Sequence, residues 1–135
     1  MAKRTLQLGR QAAIPAAPDQ AVLDRVRNPH PDTNYLARFT FPEFTVMCPV
    51  TGQPDFATIT ITYVPDQLCV EMKSLKLYFL AYRNKGIFYE AVVNTILDDL
   101  VSKLSPRSMT VVGDFAARGG TVGTVTASFR AGDKG

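Results

Sequence analysis

Within the nine residues FATITITYV, 56–64, apolar and polar side chains alternate without a break from Ala57 through Tyr63. Successive side chains of an extended strand point to opposite faces, so Ala57, Ile59, Ile61 and Tyr63 share one side and Thr58, Thr60 and Thr62 the other. No helix holds such a set together, because a period of two scatters it around a 3.6-residue turn. The chain must therefore build a sheet with one covered face. The opposite face carries hydroxyls, with Thr124 and Thr126 adding to it from a later run. That face is neither apolar nor strongly charged, as if it lined a channel between subunits.

Other elements follow from the same reasoning. YLARFTF (35–41) alternates and is aromatic, which predicts a strand that Pro42 interrupts. Leu68–Glu71 reads as a short strand. Leu75, Tyr78, Phe79 and Tyr82 recur at helical spacing, which predicts a helix over Ser74–Arg83 with Ser74 as its N-cap and Gly86 as its stop. Within 87–106, Val93, Ile96, Leu97, Leu100 and Leu104 form one apolar stripe and Pro106 lies just beyond it, which predicts a second helix. SMTVVGDF (108–115) and TVGTVTASF (121–129) flank AARGG as a strand hairpin. The expected class is α+β: a four-stranded antiparallel sheet with two helices between its second and third strands, both on one face.

The 135 residues suit one domain. Residues 1–33 carry Pro15, Pro18, Pro29 and Pro31 without lasting periodicity, so they are expected to form a mobile arm, ordered only by packing on something else, with a single catalytic domain over 34–135. The net charge of +3 arises largely in that arm. The remainder is nearly neutral, which argues against direct nucleic-acid binding. No run approaches the ~20 apolar residues of a membrane span, and no signal-peptide core is visible. A cytoplasmic protein with reduced thiols is expected. Two cysteines and one histidine, His30, in no metal-ligand spacing, predict no metal.

The segment MCPVTGQPDF (47–56) holds the clearest candidates for chemistry. A cysteine is nucleophilic only as thiolate, which requires partial exposure and nearby donors. Cys48, among turn residues, fits that context as well as it fits a buried filler, whereas Cys69, between Leu68 and Val70, reads as core. Asp55 suits either a general acid or a local turn hydrogen bond. Glu71 and Glu90 are the other carboxylates of note, and Glu90 also suits the positive end of its helix. Lys73 and Lys76 share a helix face beside Ser74, as solvated lysines or as an anion site. RGGTVG (118–123) contains no dinucleotide fingerprint.

PEFTVMCPVTGQPDFATI (42–59) and VEMKSLKLYFLAYRN (70–84) together resemble the 7-cyano-7-deazaguanine reductases, NADPH-dependent nitrile reductases of queuosine biosynthesis, in their short single-module form. The similarity runs from about Phe39 to Gly120. Residues Glu71 to Tyr78 resemble the family's signature of Glu, Ser or Leu, Lys, Ser or Ala, apolar, Lys, Leu or Tyr, aromatic, and Met72 alone departs from it. The resemblance implies a tunnelling fold shared with GTP cyclohydrolase I. It also implies a barrel closed by oligomerisation, typically a decamer of two stacked pentameric rings with sites at subunit interfaces.

By the same resemblance, Cys48 attacks the nitrile carbon to form a thioimide and Asp55 delivers a proton to nitrogen. Two NADPH per turnover give the primary amine. Glu71 and Glu90 are implied to grip the deazaguanine edge, with Val70, Met72 and Tyr89 as further substrate contacts. Lys73, Ser74 and Lys76 match the segment associated with NADPH, and Arg118 is implied as an additional cofactor contact. Tyr89 stands where the family commonly carries histidine. Two rivals bear on the same residues: a related amidinotransferase acting on tRNA, disfavoured by Lys73-Ser74-Leu75-Lys76, and a non-catalytic purine- or pterin-binding oligomer, disfavoured by the Cys48–Asp55 pair.

Overall fold

A computed structural model describes residues 13–133. In chain order the elements are β1 (Arg25–Arg27), β2 (Ala37–Met47), β3 (Pro54–Val64), β4 (Leu68–Val70), α1 (Met72–Leu80), α2 (Tyr89–Leu104), β5 (Ser108–Arg118) and β6 (Thr121–Arg130). Short 3-10 turns lie at Pro18–Gln20 and Ala81–Asn84. Four strands form an antiparallel sheet in the order β2-β3-β5-β6, and β1 and β4 make a separate two-stranded ladder. The result is an α+β fold.

The alternation in β3 sets the layers. Ala57, Ile59, Ile61 and Tyr63 are buried, at most 4% exposed, while Thr58, Thr60 and Thr62 on the other face are half-buried. Buried Val92, Val93, Ile96, Leu97, Leu100 and Leu104 of α2 lie over β5 and β6, and α1 with its following turn covers β2. Each such side chain contributes about 1.5–3 kcal/mol by leaving water. At one point the layers almost touch. A Cβ at Gly113 would stand 2.8 Å from Val93 Cγ2 and from Phe115 Cε2, so only glycine lets α2 sit this close to β5.

Three boundaries differ from expectation. Pro42 does not end its strand: β2 continues to Met47 through a register shift between Phe41 and Phe44. An edge strand tolerates a proline at such an irregularity, and Phe44 beyond it is fully buried. The first helix starts at Met72, capped by Glu71 rather than Ser74, because the Glu71 carboxylate accepts from the backbone N–H groups of Lys73 and Ser74 at 2.8 Å each. Leu68–Val70 pairs with β1 and not with the main sheet.

The third difference extends to the expected arm. Residues 1–12 lie outside the described residues, but part of the remainder is packed on the domain. Leu23, Asp24 and Asn28 are buried, the Asn28 amide donates to the Asp66 carbonyl at 2.7 Å, and Arg107 donates to the Pro31 carbonyl and to Asn34. All three β1 side chains are exposed, so a ladder made of backbone bonds leaves no apolar alternation to read. No helix among the described residues is long and apolar enough to cross a membrane.

Candidate active site

The β2–β3 hairpin places the cysteine and the aspartate by register. Val46 pairs with Asp55 and Met47 with Pro54, so residues 48–53 form the connecting loop. Within it the Cys48 N–H donates to the Gln53 carbonyl at 2.8 Å and the Gly52 N–H to the Cys48 carbonyl at 2.9 Å. Gly52 has φ +72°, a left-handed conformation that glycine adopts without strain. Asp55 has the same parity as Ala57 and Ile59, so its side chain turns to the helix-covered face and is only 6% exposed.

Met47 also binds the chain ahead of α2. Its N–H donates to the Lys85 carbonyl at 2.9 Å, and its carbonyl accepts from the Ile87 N–H at 3.2 Å. This short parallel bridge brings Phe88, Tyr89 and Glu90 against Cys48. The shared cavity, about 160 Å³, is lined by Cys48, Pro49, Asp55, Ile87, Phe88, Tyr89, Glu90 and Arg118. It is smaller than the roughly 300 Å³ at which ligand clefts usually begin. A larger recess of about 260 Å³ between the Pro18–Gln20 turn and the two helices is lined by Asp19, Tyr78, Asp99, Ser102 and Lys103, but by no cysteine.

Cys48 is half-buried, and its thiol is lowered from 9.0 to about 6. The Thr51 hydroxyl is the largest cause, followed by the backbone N–H groups of Thr51 and Val50 and by Arg118. At neutral pH the sulfur is therefore chiefly thiolate. Arg118 donates to Asp55 Oδ1 at 2.8 Å, to Thr51 Oγ1 at 2.8 Å and to Gln53 Oε1 at 3.1 Å. Tyr89 stacks on Phe115, with ring centroids 3.8 Å apart and an interplanar angle of 11°. Burial first, then the neighbouring Asp55, push its hydroxyl above the usual phenol range, with Arg118 acting the other way. A thiolate beside a carboxylate and a guanidinium can add to an electrophilic carbon while a proton moves at the atom next to it.

The expected residues thus divide in two. Cys48, Asp55, Tyr89, Glu90 and Arg118 come together in the cavity, whereas Val70, Glu71, Met72, Lys73, Ser74 and Lys76 do not line it. Val70 and Glu71 are buried, and Ser74 is 0% exposed. The Ser74 hydroxyl accepts from the Asp24 N–H at 2.9 Å and donates to the Glu71 carbonyl at 2.8 Å. Met72 is 55% exposed, Lys76 is exposed and Lys73 half-buried, so these three side chains reach the outside of α1. The two ammonium groups fit a phosphorylated cofactor; the Ser74 hydroxyl, already paired inside, does not. Cys69, expected in the core, is half-buried with its sulfur 3.6 Å from the Tyr35 hydroxyl.

Sequence reasoning passed over Thr51, Gln53 and Phe115. Proximity to Cys48 in a turn was the available signal for the first two. Phe115 carried only a strand signal.

Comparison with known proteins points one way. The family model described as QueF-like protein matches residues 54–134. The NADPH-dependent 7-cyano-7-deazaguanine reductase of Methylorubrum extorquens (strain PA1) is 59% identical over 114 residues, covering 84% of this chain and 74% of that protein. The reductase of the same name from Chlorobium luteolum is 56% identical over 112 residues, covering 83% and 97%. That from Thermomicrobium roseum is 57% identical over 116 residues, covering 86% and 90%. Among solved structures, the archaeosine synthase QueF-Like in its apo form superposes with a TM-score of 0.68 at 19% identity, over 76% of this chain and 99% of that one, a likeness of fold.

Proposed function

This chain belongs to the QueF-like family, among its NADPH-dependent 7-cyano-7-deazaguanine reductases, and on that premise we propose that Cys48 captures the nitrile carbon while Asp55 manages the proton at nitrogen. The overall reaction takes the nitrile of 7-cyano-7-deazaguanine to a primary amine. A nitrile is a poor hydride acceptor, and covalent capture divides one hard reduction into easier steps. In the capture step the sulfur's electron pair forms a C–S bond, one C–N π bond opens, and the proton that the thiol gives up passes by way of Asp55 to the nitrogen, leaving a thioimide. NADPH, when bound, supplies the hydrides, two per nitrile.

The observation that carries this reading is the common cavity: a thiol lowered to about 6 and a buried carboxylate face the same small space. Glu90 rims that space, and a carboxylate can accept the paired N–H and amino donors of a guanine-like edge. The stacked Tyr89–Phe115 pair offers the aromatic surface beside it. Lys73 and Lys76 hold the cofactor's phosphates from α1.

Met72, exposed at the start of α1, meets the purine from a second copy of the chain, in a ring-based homo-oligomer whose barrel closes the sheet, while buried Val70 and the helix-capping Glu71 hold that segment in place. Supporting that view, β2 and β6 are the sheet's outer strands, the ten residues of β6 include no buried side chain, and one chain's cavity is small. Long open strands of this kind are ready templates for pairing.

The test combines mass and stoichiometry. Mixing the protein with the nitrile alone should add its mass to the Cys48 peptide, and adding NADPH should consume two per amine formed. An adduct with no NADPH oxidation at all would overturn the reductase reading. A native mass measurement decides the oligomer.

A further inference from the structure

Arg118 closes β5 and faces Thr121 across a Gly119-Gly120 turn whose two residues have φ +59° and +78°, the pattern of a tight two-residue hairpin. Alternation alone would send its side chain to the face opposite Phe115 and away from Asp55. The register shift between Phe115 and Arg118 changes that parity: Phe115 is buried, Ala116 and Ala117 are exposed, and Arg118 is again half-buried, turned toward the cavity. An irregularity beside a site commonly re-aims one side chain. Here it delivers a planar, forked donor set to the nucleophile's loop.

The fork ties the second half of that loop to the strand that follows it. One arm binds Asp55, and the other binds Gln53 and Thr51, whose own hydroxyl and N–H hold the sulfur. Without it the tip keeps the two backbone bonds between Cys48 and Gln53 or Gly52 and the bond from the Gln53 N–H to the Thr51 hydroxyl. Only a rigid guanidinium meets three acceptors in this arrangement; an ammonium is a point charge on a flexible stem.

We propose that Arg118 is a positioning residue for nitrile capture: by tying Thr51 and Gln53 to Asp55 it sets the distance and angle between the Cys48 sulfur and the Asp55 carboxylate. This rests on the roles assigned above to Cys48 and Asp55, and it replaces the cofactor contact that the family resemblance implies for Arg118. The guanidinium also interacts with the Cys48 sulfur, which is the foremost reason its own pKa is raised.

Arg118→Lys and Arg118→Ala, made in the full chain, test the proposal by three readouts. These are the pH profile of iodoacetamide alkylation on the Cys48 peptide, the rate of nitrile adduct formation without NADPH, and the KM for NADPH. The wild type should alkylate with a midpoint near 6. Losing donors to the thiolate raises that midpoint, so both variants should need a higher pH for the same rate. Adduct formation at neutral pH should fall on the order of 10–100-fold, the scale of a misplaced reacting group, with the KM for NADPH unchanged.

Arg118→Lys keeps the charge and loses the fork, so it decides the matter even where Arg118→Ala does not fold. A lysine variant with wild-type alkylation and adduct rates overturns the proposal, and a raised KM for NADPH alongside them assigns Arg118 to the cofactor. A wild type that alkylates normally yet forms no nitrile adduct removes the capture reading itself. The alkylation profiles then still decide whether Arg118 organises the loop.

Discussion

The hairpin tip at 48–55 and the start of α1 at 70–76 are both dense in polar residues, yet they use them in opposite ways. At the tip, the backbone satisfies its own hydrogen bonds through the hairpin, which leaves Cys48 and Asp55 to face a cavity. At the start of α1, the side chains satisfy the backbone: Glu71 caps the helix, and Ser74 joins it to the segment around Asp24. Only Met72, Lys73 and Lys76 are left for the outside. A helix begins with four N–H groups lacking intrahelical partners, and a strand hairpin does not. A polar motif at a helix start is therefore part architecture, part surface, and its members carry different roles.

The largest effect that would test this contrast lies at the tip. Asp55→Asn keeps an oxygen for the Arg118 donor, so the loop shape should survive while the transferable proton is lost. Turnover should fall about 10²–10⁴-fold, the usual worth of a placed general acid. Circular dichroism should be unchanged. Single-turnover mixing with the nitrile measures the loss directly. Near-wild-type turnover would leave Asp55 with a structural role, and the two regions would then be alike.

A smaller effect belongs to the outward half of α1. Lys73→Ala combined with Lys76→Ala should raise the KM for NADPH about 10–100-fold, since a hydrogen bond to a charged group contributes roughly 1.5–3 kcal/mol. The affinity for nitrile, measured by adduct formation without NADPH, should hold. Equal losses on both sides would mean that the lysines shape α1 rather than meet the cofactor.

Much of the fold was legible because its signals are local. The alternation of β3 from Ala57 to Tyr63, the apolar stripe of α2 and the Gly-Gly turn each state their element from a few residues, and the order of strands and helices follows. The β1–β4 ladder was not legible, since exposed Arg25, Val26 and Arg27 pair by backbone alone. At the site, the Cys48–Asp55 spacing was visible, but the burial of Asp55 was not, because it depends on β3 starting at Pro54, two residues ahead of FATITITYV. The placement of Arg118 beside them was not, because it depends on an irregularity between Phe115 and Arg118 and on a contact across sixty-three residues. Family resemblance names residues; only the fold separates those whose side chains are already engaged.

The smallest expected effect on catalysis sharpens that separation most. Ser74 sits within the cofactor-associated motif but is fully buried, its hydroxyl accepting from the Asp24 N–H and donating to the Glu71 carbonyl. Ser74→Ala would remove the buried oxygen that accepts from the Asp24 N–H. A lost intramolecular hydrogen bond costs about 0.5–1.5 kcal/mol, so urea denaturation should show a loss of at least that size. The KM for NADPH should stay where it was, in contrast to the paired lysine change one residue before and two after. If stability holds and the KM rises instead, the hydroxyl leaves its interior partners to meet the cofactor. The start of α1 would then present its polar groups outward, as the hairpin tip does.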